Sequence, residues 1–146
     1  MLKKIFLVLI AALILIQFFR PAKNQSGEVS KDISTVYTLP DDVQQILKTS
    51  CYDCHSNYTE YVWYDEIQPI RWWVEDHIKE GKAELNFSEF ASYPEKKRLH
   101  KLEEIGDVVD NDEMPLPSYT FAHRDAKLTP EQKEKLTEWA YSLVEN

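Results

Sequence analysis

The sequence predicts an all-α domain carried behind an apolar N-terminal segment. Three observations lead there. Apolar residues recur at helical spacing in four stretches bounded by capping signals, no stretch of useful length alternates in the manner of a strand, and no internal repeat is present. The only two cysteines stand together in "TSCYDCHSN", as Cys-x-x-Cys-His. At 146 residues the chain is one domain with an appendage.

The appendage is "MLKKIFLVLIAALILIQFFRP". Lys3 and Lys4 precede an uncharged run of 15 residues, Ile5 to Phe19, which closes on Arg20 and Pro21. A charged start followed by an apolar run is the pattern of an export signal. Phe18, Phe19 and Arg20 stand where a cleavage site needs small residues, so residues 1–20 read as an uncleaved signal anchor, a transmembrane segment with its lysines left in the cytoplasm. The alternative is a cleaved signal peptide. In both cases the domain is expected outside the cytoplasm, on the periplasmic side, and in the first it stays membrane-anchored. Residues 21–38 are polar without an apolar period, and read as a tether. Residues 39–146 are then the globular domain.

Four helices are expected within it. The first begins at Asp41 or Asp42, has Val43, Ile46 and Leu47 as its stripe, and runs into Cys51. The second begins near Pro69 and ends at Gly81, with Ile70, Val74, His77 and Ile78 on one side. The third follows "SYPE", where Ser92 and Glu95 have capping-box spacing, and its stripe is Leu99, Leu102, Ile105 and Val109. The fourth follows "LTPEQ", with Thr129 and Gln132 as a second box and Leu136, Trp139, Ala140 and Leu143 as its face.

Of 17 basic residues, Lys3, Lys4 and Arg20 belong to the anchor, which leaves the rest of the chain with 25 acidic against 14 basic residues, a net charge of −11. Nucleic-acid binding needs a basic footprint and is excluded as an expectation.

The paired cysteines are too close to make a useful disulfide staple, since the loop they would close is tiny. Cys-x-x-Cys alone suits a redox dithiol or half a zinc site, but a thioredoxin-like domain wants strands, and zinc wants a second ligand pair at matching spacing. With His55 directly after Cys54, the motif suits covalent attachment of one haem c. Two thiols reach the vinyl groups of one porphyrin, and the adjacent imidazole meets the iron. For the sixth iron ligand the candidate is Met114, in the proline-bounded loop "NDEMPLPSY" 59 residues after His55, with His77 and His123 as competitors. His100 reads as surface. Six aromatic residues in the sixteen from Tyr58 to Trp73 (Tyr58, Tyr61, Trp63, Tyr64, Trp72 and Trp73) are expected to wall a flat macrocycle.

The runs "SCYDCHSNYTEYVWYDEIQPIRWWVEDHIKEGKAELNFSEF" and "EMPLPSYTFAHRDAKLTPEQKEKLTEWA" resemble the bacterial haem-binding domain family with a single Cys-x-x-Cys-His motif. The resemblance covers residue 39 to the C-terminus, and the apolar run ending "QFFRP" is similar as well. The order of helix, motif, helices, Met-Pro loop and terminal helix is similar to the class I cytochrome c fold. The resemblance implies thioether attachment at Cys51 and Cys54, ligation of the haem iron by His55 and distal ligation by Met114. The function expected is that of a monohaem c-type cytochrome passing single electrons between redox partner proteins, with no enzymatic step. The alternative is a haem-based gas sensor or peroxide-reactive centre with an open sixth position. The reduction potential, the electron donor and acceptor, and the oligomeric state stay open.

Overall fold

The computed structural model describes residues 1–145; Asn146, the last residue of the expected domain, lies outside them. Among the described residues the chain is all-α. Its helices are α1 (Leu2–Ile16), α2 (Asp41–Ser50), α3 (Tyr52–His55), α4 (Ile70–Glu84), α5 (Glu95–Asp110), α6 (Pro117–Ala122) and α7 (Pro130–Val144), with short 3-10 turns between them. The one β pairing described is an isolated antiparallel bridge between Gln25 and Tyr58.

The core is built where the periodic stripes meet. Val43, Ile46 and Leu47 of α2, Leu102, Ile105 and Val109 of α5, and Leu136, Trp139 and Ala140 of α7 close on Phe87 and Phe90. The α5 and α7 helices form the principal pair. Thr129 and Gln132 make the expected box, Gln132 N donating to Thr129 Oγ1 (3.2 Å) and Thr129 N to Gln132 Oε1 (2.9 Å). The Ser92–Glu95 box does not form. Pro94 occupies the cap of α5 without a side-chain bond, and Ser92 Oγ donates instead to Glu89 O (2.6 Å), closing the 3-10 turn before it.

The second helix overruns its expected end by a turn, because Gly81 serves for clearance and not as a cap. A Cβ there would lie 2.8 Å from the Cys54 carbonyl oxygen. His100 is exposed, beside Glu103 and Glu104, as expected.

Residues 21–38 are not a free tether. Asn24 Nδ2 donates to Ser56 O and to Thr59 Oγ1 (both 2.9 Å), Asn24 O accepts from Thr59 N (2.9 Å), and Gly27 N donates to Asn57 O (3.1 Å). Gly27 holds φ at +64°, in the left-handed region that favours glycine. Ile33 is 0 % exposed, in the core. The segment is a strap whose residues are mostly exposed, held by a few bonds to the 56–59 stretch and by Ile33, none of which leaves a periodic trace in the sequence. Arg71, 2 % exposed, fastens its start: Nη2 donates to Pro21 O (3.2 Å) and to Glu75 (3.0 Å), while Nη1 meets Glu66 (3.3 Å).

The anchor expectation also changes. The α1 helix has 15 residues and its apolar side chains are exposed. It rises about 22 Å, short of the ~30 Å of a hydrocarbon core. Among the described residues no helix is long and apolar enough to cross a membrane. It stops at Ile16 because the chain then docks: Gln17 Nε2 donates to Gln68 O (3.1 Å) and Gln68 N to Gln17 Oε1 (3.0 Å).

Because Ile33 packs inside the core, Ile33→Ala should cost about 2–5 kcal/mol of unfolding free energy. Urea denaturation of the purified protein measures it, and a freely tethering segment would give no loss.

Candidate functional site

The Cys-x-x-Cys-His motif sits on α3, a helix of four residues. Such a helix has no stability of its own, because one turn fixes many torsions for very few hydrogen bonds. Its neighbours hold it. Tyr52 stacks on Phe87 (centroids 5.1 Å apart) and donates from its hydroxyl to Asp32 Oδ2 (3.3 Å). Asp53 accepts from Tyr119 OH at Oδ2 (2.7 Å) and from Glu60 N at Oδ1 (3.0 Å), while its carbonyl accepts from Thr59 Oγ1 (2.6 Å). The residues between the cysteines, read from sequence as spacers, are thus the bolts of the turn.

Both cysteines are free thiols. Burial pushes Cys51 up to about 12, with Cys54 beside it adding to the effect. Burial, then the carboxylates of Asp53 and Asp65, push Cys54 up to about 11. Thiols held neutral at pH 7 are unlike those of a disulfide-exchange centre, whose attacking cysteine is acidified. Among the described residues no group of three or more His, Cys, Asp or Glu side chains is arranged to hold a bare metal ion.

The His55 ring lies with Nδ1 3.0 Å from Leu85 O. A carbonyl only accepts, so Nδ1 carries the proton and the lone pair belongs to Nε2. Burial lowers the histidine's pKa, against the opposing pull of the Leu85 and Gly81 carbonyls, and so favours the neutral ring. A neutral imidazole with its far nitrogen bound to a backbone carbonyl is the usual state of a metal-ligating histidine.

Cys51, Cys54, His55, His77 and Met114 line one cavity of about 370 Å³. It adjoins a second, of about 270 Å³, which shares Cys51, His55 and Met114 and continues over Leu85, Ile105, Val108 and Val109. On the Cys54 side it adjoins a third, of about 220 Å³, lined by Ile70, Trp73, Val74 and Ile78. An apolar trough thus runs past both thiols, with the imidazole and the thioether at its centre. These residues fit a haem: an imidazole with an unprotonated nitrogen is there to meet iron, two thiols stand beside it, and the lining is mostly apolar.

The sixth-ligand candidates separate. His77 borders the same cavity as Met114; its Nδ1 lies 2.8 Å from Trp73 O and its ring leans on Trp73 (4.2 Å). His123 lines the cavity on the Cys54 side, away from Met114, with Nε2 2.9 Å from Tyr64 OH and its ring stacked on Tyr119 (4.4 Å). Of the six aromatics expected as walls, Tyr64 and Trp73 line the trough. Trp63 and Tyr58 are exposed, Tyr61 binds Glu75 (2.7 Å), and the Trp72 indole donates to Phe19 O (2.9 Å). Gly81 and Tyr119 were not among the expected site residues. Nothing in the spacing of "HIKEG" distinguishes a glycine needed for clearance from one that ends a helix.

An all-helical domain with this trough belongs to the class of haem proteins. The family described as Haem-binding domain matches residues 11–142, and the chain belongs to it. The match begins inside α1 and includes the strap. Comparison with curated proteins and with solved structures gives no match.

Gly81→Ala forces α4 away from the Cys54 backbone, an overpacking that should cost about 1–3 kcal/mol. It should also lower the haem content of the purified protein relative to the parent chain. Denaturation together with absorbance per polypeptide reads both; unchanged stability and haem content would show that the close approach has no role.

Proposed function

We propose that this protein is a monohaem c-type cytochrome, exported and membrane-tethered, which carries single electrons between redox partner proteins. The observation that carries the reading is that Cys51, Cys54, His55 and Met114 share one cavity, with His55 Nδ1 committed to the Leu85 carbonyl. In this reading Cys51 and Cys54 would hold the haem covalently as thioethers, and His55 through Nε2 and Met114 through its sulfur would be the ligands of its iron. When bound, the haem supplies a one-electron couple at its iron, and that is the whole of its chemistry here. The Leu85 carbonyl orients the imidazole and raises its basicity. The apolar walls exclude water, and a thioether ligand raises the potential. No substrate has to be transformed, so no catalytic residue is assigned. Membrane tethering is supported by the exposed apolar length of α1, and export by the Lys3–Lys4 start before it.

One observation favours a second distal ligand: His77 borders the same cavity, and the contact of its Nδ1 with Trp73 O leaves Nε2 as the nitrogen with the lone pair. A histidine pair would hold a lower potential than histidine with methionine.

Two measurements test this function. Denatured in alkaline pyridine, the holoprotein should keep its haem on the polypeptide and give a c-type ferrohaemochrome; a colourless protein whose thiols titrate as a dithiol would defeat the reading. Met114→Ala should then abolish the methionine–iron charge-transfer band and lower the midpoint potential, while His77→Ala leaves both in place. A parent protein without that band, whose low-spin spectrum is kept in Met114→Ala and lost in His77→Ala, assigns the ligand to His77. Indifference to both changes would mark an open site, that of a gas sensor or peroxide-reactive centre.

A further inference from the structure

The end of α1 is not hinged to the domain but bolted to it. Beyond the paired Gln17–Gln68 bonds, Phe19 O accepts from Gln68 Nε2 (2.9 Å) and from the Trp72 indole nitrogen (2.9 Å), and Pro21 O accepts from buried Arg71. Gln68 is 2 % exposed, so its own bonds to Gln17 and Phe19 are partly shielded from competing water, whereas the indole bond of Trp72 is exposed. The start of α4 and the end of α1 therefore sit together.

Large apolar side chains crowd that same end and stay uncovered: Phe18 is 79 % exposed, Phe19 69 %, Ile67 42 % and Trp72 37 %. They lie next to the exposed apolar side chains of α1, Phe18 and Phe19 two and three residues beyond its end, with Ile67 and Trp72 brought beside them by the Gln68 and indole bonds. The charges beside them suit an anionic or zwitterionic surface. Arg20 and Lys23 flank the collar, and both pair with Glu66, the carboxylate nearest to it. Aromatic rings with a polar edge favour the boundary between headgroups and acyl chains, and a short apolar helix leaves a depth deficit that flanking residues can make up.

We infer that Phe18, Phe19, Ile67 and Trp72 form a collar that seats the haem-binding domain directly on a lipid bilayer, at the foot of α1. The proposal rests on the membrane-anchor reading of α1 and goes beyond it. A tether lets the domain drift off the surface, whereas the collar holds it in one orientation, with the start of α4 against the lipid. It also accounts for the shortness of α1: the apolar depth missing from 15 residues comes from side chains of the domain itself.

Lipid photo-crosslinking tests the proposal on the full haem-loaded chain. Trp72→p-benzoylphenylalanine and, separately, Ile67→p-benzoylphenylalanine are reconstituted in vesicles of phosphatidylethanolamine and phosphatidylglycerol and irradiated. His100→p-benzoylphenylalanine is the control. His100 is exposed on α5, next to Lys101, which reaches Glu84 at the opposite end of α4 from Trp72. The Ile67 position guards against the loss of the Trp72 indole bond. Lipid adducts at 67 and 72 with none at 100 are the expected result. A chain that floats with the vesicles but gives no lipid adduct at 67 or 72 overturns the collar and leaves the anchor intact. Protein–protein adducts at those positions overturn it in favour of a second copy of the chain. A chain that does not float with the vesicles removes the anchor reading, and the collar with it.

Discussion

A helix of four residues carries the attachment motif, and it cannot hold itself in place. Everything around α3 answers that constraint. Tyr52 is clamped to Phe87 and Asp32 on one side, and Asp53 to Tyr119, the Thr59 hydroxyl and the Glu60 backbone on the other. Cys54 is backed by the glycine face of α4, and His55 is aimed by Leu85 O. Each of these partners comes from a different part of the chain. The two thiols and the imidazole therefore keep their places only while the whole domain is assembled, which ties the competence of the site to global stability.

The α4 helix acts as the beam of the structure. Near its C-terminal end Gly81 lets the backbone press on Cys54, and at its N-terminal end Arg71 and Trp72 grip the chain leaving α1. Arg71 shows the cost of such a joint. It is buried, shared between Glu66 and Glu75, stacked over Tyr61 at 4.8 Å, and its Nε has no partner. A buried charge of this kind adds little net stability against an apolar replacement, but removing one partner leaves the others exposed to the desolvation penalty. Its value here is positional, since it fixes the angle between the N-terminal segment and the domain.

Burial dominates the electrostatics of the site: it raises both thiols and lowers His55, which keeps all three neutral at pH 7. Carboxylates stand beside them, Asp53 and Asp65 adding to the effect on Cys54, and the excess negative charge of the chain as a whole serves solubility.

Local rules were enough to read from the sequence the all-α class, the four amphipathic helices and the Thr129–Gln132 box. Periodicity and capping act over a few residues, and sequence displays them directly. The strap, the clearance at Gly81 and the roles of Tyr52, Asp53 and Tyr119 were decided by the tertiary structure alone. They depend on which groups meet in space, such as Asn24 with Ser56 and Asp53 with Tyr119, and such pairings have no period. The same holds for His77 and His123: both follow the motif in sequence and read alike, yet packing turns one toward the cavity of Met114 and ties the other to Tyr64. The apolar run at the N-terminus was legible as a helix, but its fastening to Gln68 was decided by the fold, because a chain cannot show in its own order where it will dock.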